Sequence, residues 1–256
     1  MKNDLKKPAM ILFDYGHTLI GEPEVDRLRG TEALMRYAVK NPHGFTPAQV
    51  CTFTDKVYDA TYGKTRELDI DLHNDAFSRL VYEYLQIEFS LPLREIDRIF
   101  FDSAMPGVVM PHVPELIAHL YVCGIRTGVI SNMGFSGETL KKRIDNLLPD
   151  NRFEFVIASS EYMYRKPHPM LFELALHKAD LPAREVWFCG DSPNADIAGA
   201  AGVGIFPVWY EDLTMENPWK EKDAKEPAGE YLHIHDWNEL IDIIYKLCHP
   251  EQSEGS

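Results

Sequence analysis

A chain of 256 residues with 45% hydrophobic content can bury one sizeable core, alone or with an inserted module. Its formal net charge of -14 works against nucleic acid or an anionic membrane as partner, and no segment approaches the length of a membrane span. Cys51, Cys123, Cys189 and Cys248 lie far apart with no CxxC pair. That argues against a disulfide frame or zinc site and, with a charged N-terminus lacking a signal-like apolar stretch, predicts a cytoplasmic protein.

Residues 9–13 form a short apolar run of the kind that makes a strand buried on both faces, and it ends at Asp14. From about Gly21 to Ala104 the pattern is helical, with no convincing strand. Thr46-Pro47 is a cap followed by a first-turn proline, leading into Val50, Phe53, Val57 and Tyr58. Asn74 can cap the next helix, whose apolar stripe reads Phe77, Leu80, Val81, Tyr84 and Leu85. Ile96, Ile99 and Phe100 suggest one more. Beyond residue 104, helical stripes alternate with apolar runs. Leu116, Ile117, Leu120 and Tyr121 share a face, with Gly124 placed to stop the helix. Leu140, Ile144 and Leu147 mark a second helix, and Leu171, Leu174 and Ala175 a third. The strand-like runs are 126–131, 153–158, 186–190 and 204–208.

Residues 210–229 are charged and contain Pro218 and Pro227, which reads as a surface excursion. Asp236-Trp237-Asn238-Glu239 resembles a capping box before Leu240, Ile241, Ile244 and Leu247. The alternation predicts an α/β fold with a parallel sheet covered on both faces. Residues 1–20 and 105–249 would form that core, 21–104 a helical insertion, and 250–256 a disordered tail.

Four short motifs sit at the predicted carboxyl ends of strands, where ligands of such sheets bind. They are Asp14-Tyr15-Gly16-His17-Thr18, Ser131-Asn132, Arg165-Lys166-Pro167 and Gly190-Asp191-Ser192-Pro193-Asn194-Ala195-Asp196. Taken singly, each is ordinary loop chemistry: an Asp capping a turn, a solvated lysine, a first-turn helix acid. Together they offer a carboxylate able to attack phosphorus, a hydroxyl donor, a fixed cation and further acids. Three carboxylates converging on one crevice would repel one another unless a cation sat among them, and Mg2+ suits an all-oxygen site.

In order and chain context the set resembles the haloacid dehalogenase-like (HAD) hydrolase superfamily, most of whose members are Mg-dependent phosphatases. The resemblance implies a Rossmann-like parallel core with an inserted all-helical C1 cap. It implies Asp14 as nucleophile and Lys166 as the cation that neutralises nucleophile and phosphoryl group. Ser131, Asn132 and Thr18 would serve the phosphate and its loop. Mg2+ would be held by Asp14, the Gly16 carbonyl and Asp191, with Asp196 close by. The expected partner is a small phosphorylated substrate. Arg27, Arg29, Arg36, Arg66 and Arg79 could reach an anionic group on it, although arginines on helices are usually solvated.

One position departs from that pattern. Phosphatases of the superfamily usually carry a second Asp two residues after the nucleophile, which protonates the leaving oxygen and then activates water; here that residue is Gly16. A positioned acid/base is worth ~10²–10⁴-fold in rate, so its loss matters. His17 is the nearest substitute by pKa, although an outward-pointing loop histidine is the plainer reading. A carboxylate from the helical insertion is another option. Two alternatives stay open: phosphonoacetaldehyde-hydrolase-like C–P cleavage, which needs a cap lysine such as Lys56, and a phospholigand-binding protein with little turnover.

Overall fold

The computed structural model describes residues 5–220 and 226–250. In chain order the elements are β1 (Met10–Phe13), β2 (Ile20–Gly21), α1 (Arg27–Met35), β3 (Ala38–Lys40), α2 (Pro47–Arg66), α3 (Asn74–Leu85), β4 (Glu88–Phe89), α4 (Leu93–Ala104), β5 (Val108–Val109) and α5 (Val113–Val122). They continue with β6 (Arg126–Ser131), α6 (Gly137–Leu147), β7 (Val156–Ala158), α7 (Pro169–Ala179), β8 (Val186–Gly190), α8 (Gly199–Gly202), β9 (Phe206–Tyr210), β10 (Leu232–Ile234) and α9 (Trp237–Cys248).

Six strands form one parallel sheet in the order β10-β9-β8-β1-β6-β7. β1 is buried throughout because its residues alternate between two cores: Ile11 and Phe13 join the cluster under α5, α6 and α9, while Met10 and Leu12 join that under α7 and α8. From β1 the chain reaches β6 on one side and later β8 on the other. The strand order therefore reverses about β1, which opens a crevice at its carboxyl end.

Helices α1 to α4 gather around a separate apolar cluster that includes Leu34, Val50, Val81, Leu85 and Ile96. Their entry and exit segments pair as the short antiparallel ladder β2/β5, Ile20 opposite Val109 and Gly21 opposite Val108. The insertion is not wholly helical: Ala38 and Lys40 pair with Phe89 and Glu88. Segments this short carry too little periodicity to be read as strands.

The caps at Thr46 and Asp236 form as the sequence predicts, both as complete capping boxes. Gly124, with φ +67, closes α5; its N–H donates to Tyr121 and that of Ile125 to Leu120, satisfying carbonyls the helix end would leave bare. Three readings are corrected. The N-cap of α3 is His73, whose Nδ1 accepts from the Asp75 N–H, and Asn74 begins the helix. Leu80 and Tyr84 are exposed, because α3 buries Ser78, Val81, Tyr82 and Leu85 instead; Tyr84 stacks on Phe53. Tyr121 likewise leaves the α5 core and lies beneath Arg152. Two strand boundaries also shift: the fifth core strand runs 206–210, and Phe153 is buried ahead of β7 without belonging to it. Residues 221–225 and 251–256, parts of the predicted excursion and tail, lie outside the described residues. Among the described residues no helix is long and apolar enough to cross a membrane.

Asp97 of α4 is buried inside the helical unit, where the Ser78 hydroxyl donates to it at 2.7 Å. Burial raises its pKa to about 6, against the hydrogen bonds from Ser78 and Asn74. The folded chain therefore holds this proton more tightly than the unfolded one. The stabilisation is complete below about pH 4 and is lost as pH rises through about 6, a swing of about 3 kcal/mol. Asp97→Asn is expected to raise stability at neutral pH by about 1–3 kcal/mol and to flatten its pH dependence between pH 4 and 6. Urea unfolding of both proteins across that range checks it; parallel curves would be the contrary result.

Candidate active site

The reversal of strand order brings the four motifs together. Asp14 leaves β1 with its N–H donating to the Cys189 carbonyl of β8 at 2.8 Å, and Asp191 follows the end of β8. Lys166 arrives on the loop between β7 and α7. The Asn132 side chain grips that loop from β6: its amide donates to the Lys166 carbonyl at 2.9 Å and its oxygen accepts from the Lys166 N–H at 2.7 Å. So held, the Lys166 ammonium donates to Asp14 at 2.5 Å and to Asp196 at 2.6 Å, and it is only 2% exposed. Asp196 sits in the wide turn Pro193–Ala198, where its other oxygen accepts the Ser192 N–H at 3.0 Å. Its carboxyl lies against Gly190. A Cβ there would come within 2.4 Å of the Asp196 Cγ, so only glycine allows this approach.

Carboxylate oxygens of Asp14, Asp191 and Asp196 lie within 4.8 Å of one another. One ammonium among three carboxylates leaves the cluster short of positive charge, and burial makes that costly. Burial raises the Asp14 pKa to about 6; Lys166 opposes the rise and Asp196 adds to it. Asp191 is pushed well above the carboxylate range by burial, then by Asp14 and Asp196. Burial disfavours the Lys166 charge, yet Asp14 and Asp196 outweigh it and hold its pKa above the ordinary lysine value. An all-oxygen, anion-rich set of this kind fits a divalent cation such as Mg2+.

The loop after Asp14 departs from expectation at two residues. His17 does not point outward: it is buried at φ +52, and its Nε2 has no hydrogen-bond partner among the described residues. Burial lowers its pKa, which a backbone hydrogen bond with Glu22 opposes. Thr18 is fully buried and does not line the cavity; its hydroxyl finds no partner among the described residues. The loop is held instead through its carbonyl, which accepts from the Trp237 indole at 3.3 Å. The Asn132 amide, expected at the phosphate, is spent largely on positioning Lys166. Ser131 ends β6 buried and faces the cavity.

Two further groups belong to this site. Asn217, in the charged excursion, donates to Asp191 at 2.7 Å. Glu22, just past β2, is 8% exposed and accepts through one oxygen from the Tyr15 hydroxyl and from Arg143, each at 3.1 Å. Burial raises the Glu22 pKa to about 7 against the pull of Arg143. Arg143 of α6 also donates to Tyr15 at 2.7 Å, to Asp102 at 2.8 Å and to the Met105 carbonyl.

The cluster forms the floor of a cavity of about 500 Å3. Its opposite wall belongs to the helical unit: Arg27, Thr54, Asp55, Tyr58, Tyr62 and Phe77. Arg27 is paired with Asp55 at 3.4 Å and lies over the Tyr58 ring. Arg29, Arg36 and Arg79 are exposed away from it, and the Arg66 side chain lies outside the described residues. Lys56 is exposed and does not line the cavity. A second tie between the two units runs from Asp71, which accepts from Arg165 at 3.0 Å and from the Ser159 hydroxyl.

Residues 93–209 match the family of haloacid dehalogenase-like hydrolases. Glyceraldehyde 3-phosphate phosphatase of Pyrococcus abyssi is 29% identical over 79% of this chain and 81% of its own length. Phosphoserine phosphatase of Thermus thermophilus is 27% identical, over 52% of this chain and 53% of its own. Among solved structures, 2-haloacid dehalogenase from Pseudomonas syringae pv. Tomato DC3000 matches with a TM-score of 0.59 at 19% identity, covering 94% of this chain and 99% of that one.

Proposed function

We propose, from its likeness to the haloacid dehalogenase-like hydrolases, that the chain is a Mg2+-dependent phosphatase acting on a small phosphorylated metabolite through phosphorylated Asp14. The observation that carries this reading is the buried Lys166 bridge between Asp14 and Asp196 beside Asp191. A carboxylate held at 2.5 Å from an ammonium is oriented for attack, and that fixed cation offsets the charge that gathers as an anionic phosphoryl group approaches. Asp14, Asp191 and the Gly16 carbonyl would hold Mg2+, with Asp196 close by; the ion would supply Lewis-acid neutralisation of the phosphoryl oxygens. Ser131 would hydrogen-bond the phosphate.

Residues 21–104 act in this reading as a C1 cap that encloses the substrate, and residues 1–20 with 105–249 as the catalytic core. The cavity is of the size of a small-molecule site, and its cap wall mixes one paired arginine with aromatic rings. With the acidic net charge, that suits a small phosphate ester in the cytoplasm rather than a nucleic acid. Phosphonate cleavage through Lys56 is disfavoured by that residue's exposed position outside the cavity.

Phosphate release from a panel of small phosphorylated metabolites and an aryl phosphate is expected with Mg2+. Chelation should lower it by ~10²-fold or more, and restored Mg2+ should recover it. No release from any ester, or release indifferent to chelation, would count against the reading.

A further inference from the structure

Gly16 stands where a proton-transferring side chain is expected, and its surroundings are open. A Cβ built on it would meet a single atom within 4 Å, the Glu22 Oε2 at 4.0 Å. The other Glu22 oxygen takes the hydrogen bonds from Tyr15 and Arg143, so the carboxyl is anchored at one end and its second oxygen is turned toward Gly16. Glu22 and Gly16 line the same cavity as Asp14 and Lys166.

The other acids on the cavity wall are committed elsewhere. Asp71 is held by Arg165 and Ser159, Asp97 by Ser78, and Asp55 faces Arg27. We propose that Glu22 is the general acid/base of this enzyme, a carboxyl delivered from beyond β2 into the space a side chain at residue 16 would have filled.

Resting on the phosphatase reading, the cycle balances as follows. An Asp14 oxygen bonds to phosphorus, the bond from phosphorus to the ester oxygen breaks, and the departing alkoxide takes the Glu22 proton. Glu22, now a carboxylate, removes a proton from water; the water oxygen bonds to phosphorus, and the bond from phosphorus to Asp14 breaks. Alcohol, phosphate, a free Asp14 carboxylate and a reprotonated Glu22 remain.

The test compares wild type, Glu22→Gln, and Glu22→Gln combined with Gly16→Asp on an alkyl phosphate and on p-nitrophenyl phosphate. The alkyl leaving group needs a proton and the nitrophenolate does not. Glu22→Gln is expected to cost ~10²–10³-fold on the alkyl ester but under ~10-fold in the first-turnover burst of nitrophenolate, read by rapid mixing. Phosphoryl-Asp14 should then accumulate on the aryl ester, seen by intact-protein mass spectrometry, because hydrolysis has lost its base. Gly16→Asp in that background should recover ~10-fold or more on the alkyl ester.

Equal losses on both esters with no phosphorylated protein would mark Glu22 as structural and overturn the assignment, as would an undiminished alkyl rate. If Glu22→Gln does not fold, Glu22→Asp, which keeps a carboxyl but draws it back by one methylene, is put through the same comparison of esters. A wild type inactive on both esters would instead remove the phosphatase reading itself.

Discussion

Asp14→Asn is expected to reduce phosphate release by ~10⁴-fold or more while leaving a folded protein. The amide is nearly the same size as the carboxyl, and its oxygen can still accept from Lys166, which at present donates to Asp14 at 2.5 Å. What it lacks is the negative charge and free lone pairs that attack phosphorus. The loss should fall on kcat with every ester, and no covalent phosphoryl protein should form even with aryl phosphate. A variant that kept Mg2+-dependent turnover would show that water attacks directly and that Asp14 only binds.

Lys166→Met should cost both stability and rate. The methionine fills the same buried space, but Asp14 and Asp196 are left without the ammonium that binds both. Breaking a buried pair by removing one partner costs about 3–5 kcal/mol, and with chelator present unfolding at neutral pH should show a loss of that order. Mg2+ should return part of it, because an ion that binds only the folded state stabilises by mass action. Asp196→Asn in the same background should also recover stability by removing one unpaired charge. Loss of the fixed cation should lower the rate by ~10²–10³-fold. Equal unfolding curves for variant and wild type in chelator would mean that the bridge contributes nothing to the fold.

The core was legible because its strands are apolar runs bounded by polar turns, and the motif residues stand at the ends of those runs. Asp14, Lys166, Asp191 and Asp196 do meet, as their strand-end positions suggested. What periodicity cannot report is which side chain a neighbour will consume. Thr18 and Asn132 carry the right atoms, yet one is sealed in the core and the other grips a backbone. His17 defied its plain reading because left-handed backbone folds it inward.

Glu22 and Asn217 were missed for another reason. Each reaches the site from a segment without repeat or motif, through a contact made only when distant stretches close together. A carboxylate shortly after the nucleophile loop was the one available signal for Glu22. Residue type alone did not set it apart from the other acids of the insertion.

The pairing of β1 bears on how the chain is made. Of the six strands of the sheet, the one that carries Asp14 is made first, yet Met10 pairs with Arg126 on one side and Val186 on the other. At ~5–20 residues per second, it waits on the order of ten seconds or more for its second neighbour. The helical insertion, whose cluster spans only residues 34–100, has its partners at hand long before that. During synthesis an apolar strand with two bare edges therefore waits while the helical insertion already has its own packing partners within reach. Bare strand edges invite mispairing during that interval, and the site becomes whole only once Asp191 and Asp196 have been made.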